Sequence, residues 1–205
     1  EYINAFYSQY GNKINKFSYL LGLRVESSNI TIDQRTINQY KIKKYTDLFP
    51  TLNLSYEFNE KSSLTLGYSR RLRRPRSRFL NPFGSRVSIA NAFQGNVDLN
   101  PSYSNTYDLG FLTRSKKLTF NGSVYYSKSK SVIQIVNQAT GDFATLSKEP
   151  LVKVPVLKAF PVNLTNNYRT GTEFNITYTP NRKFRINSNL NIFNSKLTGS
   201  YNNIS

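Results

Sequence analysis

The sequence predicts an all-β fold: an antiparallel, up-and-down transmembrane β-barrel, with about eight strands that form a segment of a larger barrel. Three observations predict this fold. Apolar and polar residues alternate with period two through most of the chain, and convincing helical i, i+3, i+4 stripes are absent. Short connections alternate with long ones along the chain. Tyrosines stand near the ends of many alternating runs, where a membrane interface favours an apolar ring that carries a hydroxyl group.

The first four strands are predicted at residues 2–10, 16–28, 45–58 and 62–72. The second strand carries its apolar residues on one face, namely Phe17, Tyr19, Leu21, Leu23 and Val25. The third contains Pro50, which lacks a main-chain donor, so we expect a bulge or an interruption there.

The last four strands are predicted at residues 105–113, from residue 118 onward, at 168–179 and at 184–197. The eighth strand is the most regular. Its apolar residues Phe184, Ile186, Leu190 and Ile192 oppose the polar residues Arg185, Asn187, Asn189 and Asn191.

The connections predict how the strands are placed relative to a membrane. Compact soluble domains have a median connection of roughly 4–6 residues and rarely hold three long ones. Outer-membrane barrels combine short periplasmic turns with long extracellular loops. We therefore predict one partial barrel domain over residues 1–205, with extracellular loops at 29–44, 73–104 and 132–167 and periplasmic turns at 11–15, 59–61, 114–117 and 180–183. Within the longest loop, residues 151–157 are apolar and form either an extra hairpin arm or a segment packed towards the lumen.

The composition excludes several classes of chemistry. The chain has no Cys, so disulfides, thiolate metal sites and cysteine nucleophiles are excluded, and it has no His, the commonest general base. We therefore predict no enzyme activity, no cofactor and no metal site. The chain begins without an initiator Met or a leader, so we expect it to be a piece of a longer precursor.

Lys and Arg number 28 against 11 Asp and Glu, and six arginines lie between Arg70 and Arg78. Three interpretations apply to this cluster. A nucleic-acid site would need a binding module, and none is recognisable, so we predict no nucleic-acid partner. A ligand site at the barrel mouth would bind carboxylates or phosphates, through Arg73, Arg74, Arg76 and Arg78. A structural role would place the charge against water or lipopolysaccharide head groups, with Pro75 ending the strand.

Polar residues on the opposite strand faces are candidates for contact with a ligand or plug in the lumen. These are Arg71, Asn121, Asn189 and Asn191. The carboxylates Asp98 and Asp108 have no base, nucleophile or metal ligand near them in the sequence, so we interpret them as a loop cap and a lumenal charge.

An ordered series of motifs is similar to a known family. The series comprises DLFPTLNLSY at residues 47–56, LGYSRR at 66–71, Arg74-Pro75, LNPF at 80–83 and QGNVDLNPSYSNTYDLG at 94–110. It resembles the barrel domain of the outer-membrane beta-barrel family found in Bacteroidetes TonB-dependent receptors. The last motif departs from the family signature at Val97, Ser102 and Asp108, where the family has proline, glutamate and glutamate.

This resemblance implies a protein of the bacterial cell outer membrane. Family members are barrels of about 22 strands with an amino-terminal plug in the lumen and a TonB box that contacts the energy-transducing complex. The implied function is uptake of a small-molecule, glycan or peptide ligand by non-covalent binding and plug-gated passage. The implied partners are outer-membrane lipid and lipopolysaccharide, the TonB complex through regions that this chain does not show, and a surface lipoprotein.

Two other hypotheses remain open at this point. One is a structural or scaffold outer-membrane barrel that serves an assembly. The other is a soluble, basic, all-β binding protein, which would bury the apolar strand faces that a membrane barrel turns outward.

Overall fold

The computed structural model describes residues 1–148 and 150–199, except for the side chains of Gln39 and Thr165. Glu149 and residues 200–205 of the predicted domain lie outside the described residues. Within them, ten strands form one sheet: β1 (Tyr2–Ile14), β2 (Phe17–Gln34), β3 (Gln39–Asn59), β4 (Ser62–Arg73), β5 (Ser85–Ser88), β6 (Asn91–Phe93), β7 (Ser102–Arg114), β8 (Leu118–Lys148), β9 (Leu151–Asn181) and β10 (Phe184–Thr198). A 3-10 turn at Arg35–Ile37 and the helix α1 (Ser77–Leu80) are the helical elements of this part of the chain. No helix in the described ranges is long and apolar enough to cross a membrane.

The strand order confirms the predicted all-β, up-and-down class. The long strands follow one another as β1, β2, β3, β4, β7, β8, β9 and β10, and the short strands β5 and β6 join the sheet beside β9. Pairing is antiparallel between β1 and β2, between β2 and β3, and between β3 and β4. The strand β6 pairs with β9 in parallel, with Asn91 opposite Leu157.

The chain divides into two compact units. Unit 1 comprises Glu1–Arg71, Ser104–Ser129 and Asn167–Leu197. Unit 2 comprises Leu72–Tyr103, Lys130–Asn166 and, in the described part of the chain, residues 198–199.

The first turn lies later than the sequence predicts. The residues Gly11-Asn12-Lys13 belong to β1, which continues to Ile14, and the chain reverses at Asn15 and Lys16. Asn15 has a φ of 55°, and asparagine is one of the few residues that tolerate this left-handed conformation. The hairpin register is regular throughout, so the turn at Asn15 sets the pairing of both strands.

The segment predicted as a loop at residues 29–44 is mostly strand. The strand β2 continues to Gln34, and β3 begins at Gln39, with the intervening 3-10 turn capped by Asn38 at a φ of 49°. Alternating β-branched residues such as Ile30 and Ile32 favour an extended chain here. The hairpin of β2 and β3 therefore extends well beyond its predicted end, and Pro50 pairs with Leu23 inside β3 without interrupting it.

The segment predicted as a loop at residues 132–167 is also strand. Both β8 and β9 have 31 residues and together form a long hairpin arm, which includes the apolar residues 151–157. Of the two alternatives left open for 151–157, the hairpin arm is therefore the observed one. Ser131, with a φ of 55°, is a local irregularity within β8, one residue before the segment predicted as a loop.

The segment 73–104 agrees best with a long connection. The strand β4 ends at Arg73, two residues before Pro75, as expected for a residue that cannot donate to a ladder. Beyond it lie α1, β5 and β6. Several side chains of this segment are buried, and Leu99 is only 1% exposed, so the connection has a small core of its own within unit 2.

Candidate functional site

The sheet of unit 1 has two faces of different chemistry. Leu21 lies opposite Tyr10 on one neighbouring strand and Leu52 on the other, whereas the next residue, Gly22, lies opposite Gln9 and Thr51. The large apolar side chains on the same side of the sheet as Leu21 are strongly exposed, for example Leu21 itself at 47% and Ile192 at 59%. We call the face with these side chains the apolar face, and the face that alternates with it the polar face.

A partly buried ion pair lies on the polar face, since the side chain of Arg24 is 48% exposed. Arg24 and Glu26, two residues apart on β2, point to the same side of the sheet, and Arg24 donates from Nε at 2.9 Å and Nη2 at 2.5 Å to Oε2 of Glu26. Glu26 is 5% exposed, and Asp47 is its register partner on β3. Loss of the Arg24 guanidinium would remove two charged hydrogen bonds from the buried carboxylate of Glu26. The pair therefore contributes to the stability of the folded sheet.

A second cluster lies on the polar side of β8, β9 and β10. The guanidinium carbon of Arg169 is 3.9 Å from the centre of the Phe193 ring, a close cation–π contact. The Tyr125 ring lies over Gly171, where an added Cβ would come within 2.6 Å of the ring carbon Cζ. Only glycine leaves room for the ring at that position.

The lumen candidates Arg71, Asn121, Asn189 and Asn191 all belong to unit 1 and are exposed. Asn191 on β10 donates to Oε1 of Glu173 on β9 at 3.1 Å, so it is already engaged across the two strands. Asn189 lies on the same face of β10, two residues before Asn191, since side chains on a strand repeat with period two. Arg71 and Asn121 lie on other strands, β4 and β8, so the four candidates follow the sheet and do not form a compact cluster.

The mouth candidates belong to unit 2. Arg73 ends β4, Arg76 precedes α1, and both are exposed; Arg74 is half-buried. Arg78 lies in α1, with its guanidinium carbon 4.8 Å from the centre of the Phe93 ring. The four arginines therefore have different environments: Arg73, Arg76 and Arg78 are exposed, and the guanidinium of Arg78 lies over an aromatic ring.

Main-chain hydrogen bonds hold the segment after α1 in place within unit 2. Gly95 donates to the carbonyl oxygen of Asn81 at 2.8 Å, and Gln94 donates to that of Ala159 on β9 at 3.0 Å. A Cβ on Gly95 would meet the carbonyl oxygen of Phe79 at 2.7 Å, so this glycine of the QGNVDLNPS motif is required by close main-chain approach.

An asparagine also connects this segment to the arm. Asn163 on β9 accepts a hydrogen bond from the Asn100 main chain at 2.7 Å and donates to the carbonyl oxygens of Asn100 and Ser131 at 2.9 and 2.8 Å. The QGNVDLNPS motif therefore anchors the long connection at residues 73–104 to β9.

The chemistry available on these surfaces is non-covalent. In the described residues, no group of three or more His, Cys, Asp or Glu could hold a metal ion. Guanidinium, carboxylate, amide and aromatic groups line the polar face, and these bind through hydrogen bonds, ion pairs and cation–π contacts.

Sequence reasoning did not single out Arg24, Glu26, Arg169 or Phe193 as site residues. The spacing of Arg24 and Glu26 on an alternating strand was the available signal, because residues two apart share a face. Arg169 and Phe193 carried no such signal, since their contact depends on the pairing of β9 with β10.

Comparisons with known proteins agree with this architecture. A search of curated proteins gave no match. Among solved structures, the FrpB iron transporter from Neisseria meningitidis (F3-3 variant) is similar with a TM-score of 0.66 and 12% identity, covering 98% of this chain and 26% of that one. The copper transporter OprC gives a TM-score of 0.72 and 13% identity over 95% of this chain and 29% of that one. A ferric enterobactin receptor (PfeA) mutant from Pseudomonas aeruginosa gives a TM-score of 0.64 and 18% identity, over 93% of this chain and 26% of that one.

These similarities show the fold, and the chain spans between about a quarter and a third of the length of these three structures. The restriction to Bacteroidetes stays a prediction. One family model, described as the outer membrane protein beta-barrel family, matches residues 1–205. A family of membrane barrels, not of enzymes, accounts for an exposed apolar face that alternates with a polar one. The chain therefore belongs to the outer membrane protein beta-barrel family and is a protein of the bacterial outer membrane.

Proposed function

We propose that this chain is part of a TonB-dependent receptor-like barrel that takes up a ligand by non-covalent binding and plug-gated passage. The observation that carries the proposal is the polar face of unit 1, with its partly buried Arg24 and Glu26 pair and its Arg169 and Phe193 contact. Charged and aromatic groups on this face can bind a ligand through hydrogen bonds, ion pairs and cation–π contacts. The fold similarity to an iron transporter and a copper transporter supports the same function.

In this proposal the polar face lines the lumen. Arg71, Asn121, Asn189 and Asn191 contact the ligand or a plug, and the bond from Asn191 to Glu173 orients its amide for that contact. A plug, the TonB complex and a surface lipoprotein are proposed partners, with lipopolysaccharide outside the barrel. The ligand is a small molecule, a glycan or a peptide.

The mouth arginines add a preference for anionic ligands. Arg73 and Arg76 are exposed, and guanidinium groups bind carboxylates and phosphates through paired hydrogen bonds. Arg78 contributes less, because its guanidinium lies over Phe93. Arg74 is half-buried, so its charge is less accessible to a ligand.

The test compares cells that express the full-length protein with cells that lack it. Mass spectrometry of the depleted medium identifies compounds that accumulate only with the protein, and a protonophore tests whether accumulation needs energy. We expect an anionic compound to accumulate, and Arg73→Glu with Arg76→Glu to lower its accumulation about tenfold or more, because charged hydrogen bonds contribute roughly 1.5–3 kcal/mol each. Arg86→Glu, another exposed cation of unit 2, is the matched control and should have no effect.

Each outcome decides a different part of the proposal. If no compound depends on the protein, uptake is wrong and the scaffold barrel becomes the better hypothesis. If a compound accumulates equally with the Arg73 and Arg76 variant, uptake stands and the mouth arginines are not a ligand site. The soluble hypothesis is set aside, because the family is one of outer-membrane barrels.

A further inference from the structure

The short turns of unit 1 form a connected rim. They lie at residues 15–16, 60–61, 115–117 and 182–183, and we call these residues the turn rim. Main-chain hydrogen bonds join three of these turns to the end of the neighbouring strand: Glu57 of β3 donates to the Lys16 carbonyl oxygen at 2.8 Å, Arg114 of β7 to that of Lys61 at 2.8 Å, and Thr179 of β9 to that of Lys117 at 2.7 Å. The turns are therefore held side by side along one end of the sheet.

The turn rim is strongly basic. It contains one carboxylate, Glu60, and six exposed cations: Lys16, Lys61, Lys116, Lys117, Arg182 and Lys183. Lys16 donates to the carbonyl oxygen of Phe58 at 3.0 Å. Within the residues that the structure describes, none of the six forms an ion pair with a carboxylate. So dense a charge in short, ordered turns implies an anionic partner outside the chain.

Exposed aromatic residues border the turn rim on the apolar face. Phe17 pairs with Tyr56 in the register of β2 and β3, and Tyr56 meets Phe58 edge-on with ring centres 5.2 Å apart. Phe184, next to the turn of β9 and β10, is 64% exposed. Aromatic rings beside cations are typical of the level where acyl chains give way to head groups.

We propose that the turn rim binds the phosphate groups of anionic phospholipids in the adjoining membrane leaflet. Short turns lie at the periplasmic side in outer-membrane barrels, so this is the inner leaflet of the outer membrane. Long lysine stems extend along apolar surface while the ammonium groups reach the head groups. A lipid fits better than an acidic protein, because the cations directly border a surface that acyl chains cover. The inference rests on family membership and is independent of ligand uptake.

The test uses the full-length protein in nanodiscs with equal amounts of phosphatidylglycerol and phosphatidylethanolamine. Native mass spectrometry measures which lipids stay bound. We expect the unaltered protein to retain phosphatidylglycerol about fivefold over phosphatidylethanolamine, since a basic residue near an anionic surface contributes roughly 1 kcal/mol. Substitution of four turn-rim lysines by glutamine should abolish this preference, namely Lys61, Lys116, Lys117 and Lys183.

Two controls separate this site from general charge attraction. Four exposed cations of unit 2 outside the proposed ligand site, Arg86, Lys130, Lys148 and Lys153, replaced by glutamine should leave the preference unchanged. Substitution of the same four turn-rim lysines by arginine should also keep the preference for phosphatidylglycerol, because the charge is retained. This variant shows that the turns tolerate substitution. Equal retention of the two lipids by the unaltered protein, or an equal loss in both glutamine variants, would overturn the proposal.

Discussion

The contact of Tyr125 with Gly171 makes a specific stability prediction. In Gly171→Ala the new Cβ would lie 2.6 Å from the ring carbon Cζ and 2.8 Å from the carbonyl oxygen of Ile192 on β10, against ordinary contacts of 3.4 Å or more. The ring must therefore withdraw by about 0.8 Å, and the main chain of β10 by about 0.6 Å. Overpacking of this kind costs about 1–3 kcal/mol, and we expect the upper half of the range because main chain is involved.

Urea unfolding of the full-length protein in phospholipid vesicles measures the effect. The chain has no Trp, so far-UV circular dichroism is the signal. The same substitution in a Tyr125→Ala background should cost about 1 kcal/mol less, because the contact with the ring is gone while the contact with the Ile192 oxygen remains. Gly84→Ala is the matched control, since a Cβ there meets nothing within 4 Å.

The reasoning is refuted if Gly171→Ala is no more destabilising than Gly84→Ala. It is also refuted if Gly171→Ala costs the same with and without the Tyr125 ring, since the ring would then not occupy the space above the glycine.

Three further predictions concern the rest of the molecule. Arg24→Ala should lower the free energy of unfolding by about 1–3 kcal/mol, because the buried carboxylate of Glu26 loses the half-exposed guanidinium that donates to it; the same urea titration measures it, and a loss under about 0.5 kcal/mol would contradict the ion pair. Asn163→Ala removes three hydrogen bonds and should raise amide hydrogen exchange in the segment that it anchors by about tenfold or more, whereas unchanged exchange would show that the segment is held by other contacts. Leu21→Arg, on the apolar face, should destabilise the folded protein in vesicles by about 2–4 kcal/mol, while Asn53→Arg, on the polar face, should cost less than about 1 kcal/mol; equal losses would mean that the faces are assigned wrongly.

The alternation of apolar and polar residues was sufficient to predict the all-β fold class, but it did not predict where the strands end. Ile30 and Ile32 carried the same period-two signal as the confirmed strands, yet the expectation of long loops outweighed it. The residues Gly11 and Asn12 are ordinary turn signals, and only the pairing with β2 shows that the chain continues past them to Asn15. Local signals of this kind are overruled by the register of a neighbouring strand.

The candidate site was predictable only in part. Alternation correctly assigned Asn189 and Asn191 to one strand face, because that assignment depends on period alone. The partner of Asn191, Glu173, lies 18 residues away on β9, and its position depends on a register that the sequence leaves open. The different environments of Arg76 and Arg78 also depend on tertiary packing, since Phe93 comes from a separate strand.

The anchoring of the long connection to β9 has a consequence for the order of folding. Asn100 and Asn163 are 63 residues apart, and β7, β8 and the first part of β9 lie between them in the chain. The connection is synthesised before β9, so its hydrogen bonds to Asn163 can form only once β9 is in place. Slow amide exchange at Asn100, which donates to Asn163, therefore reports that β9 has docked on the connection.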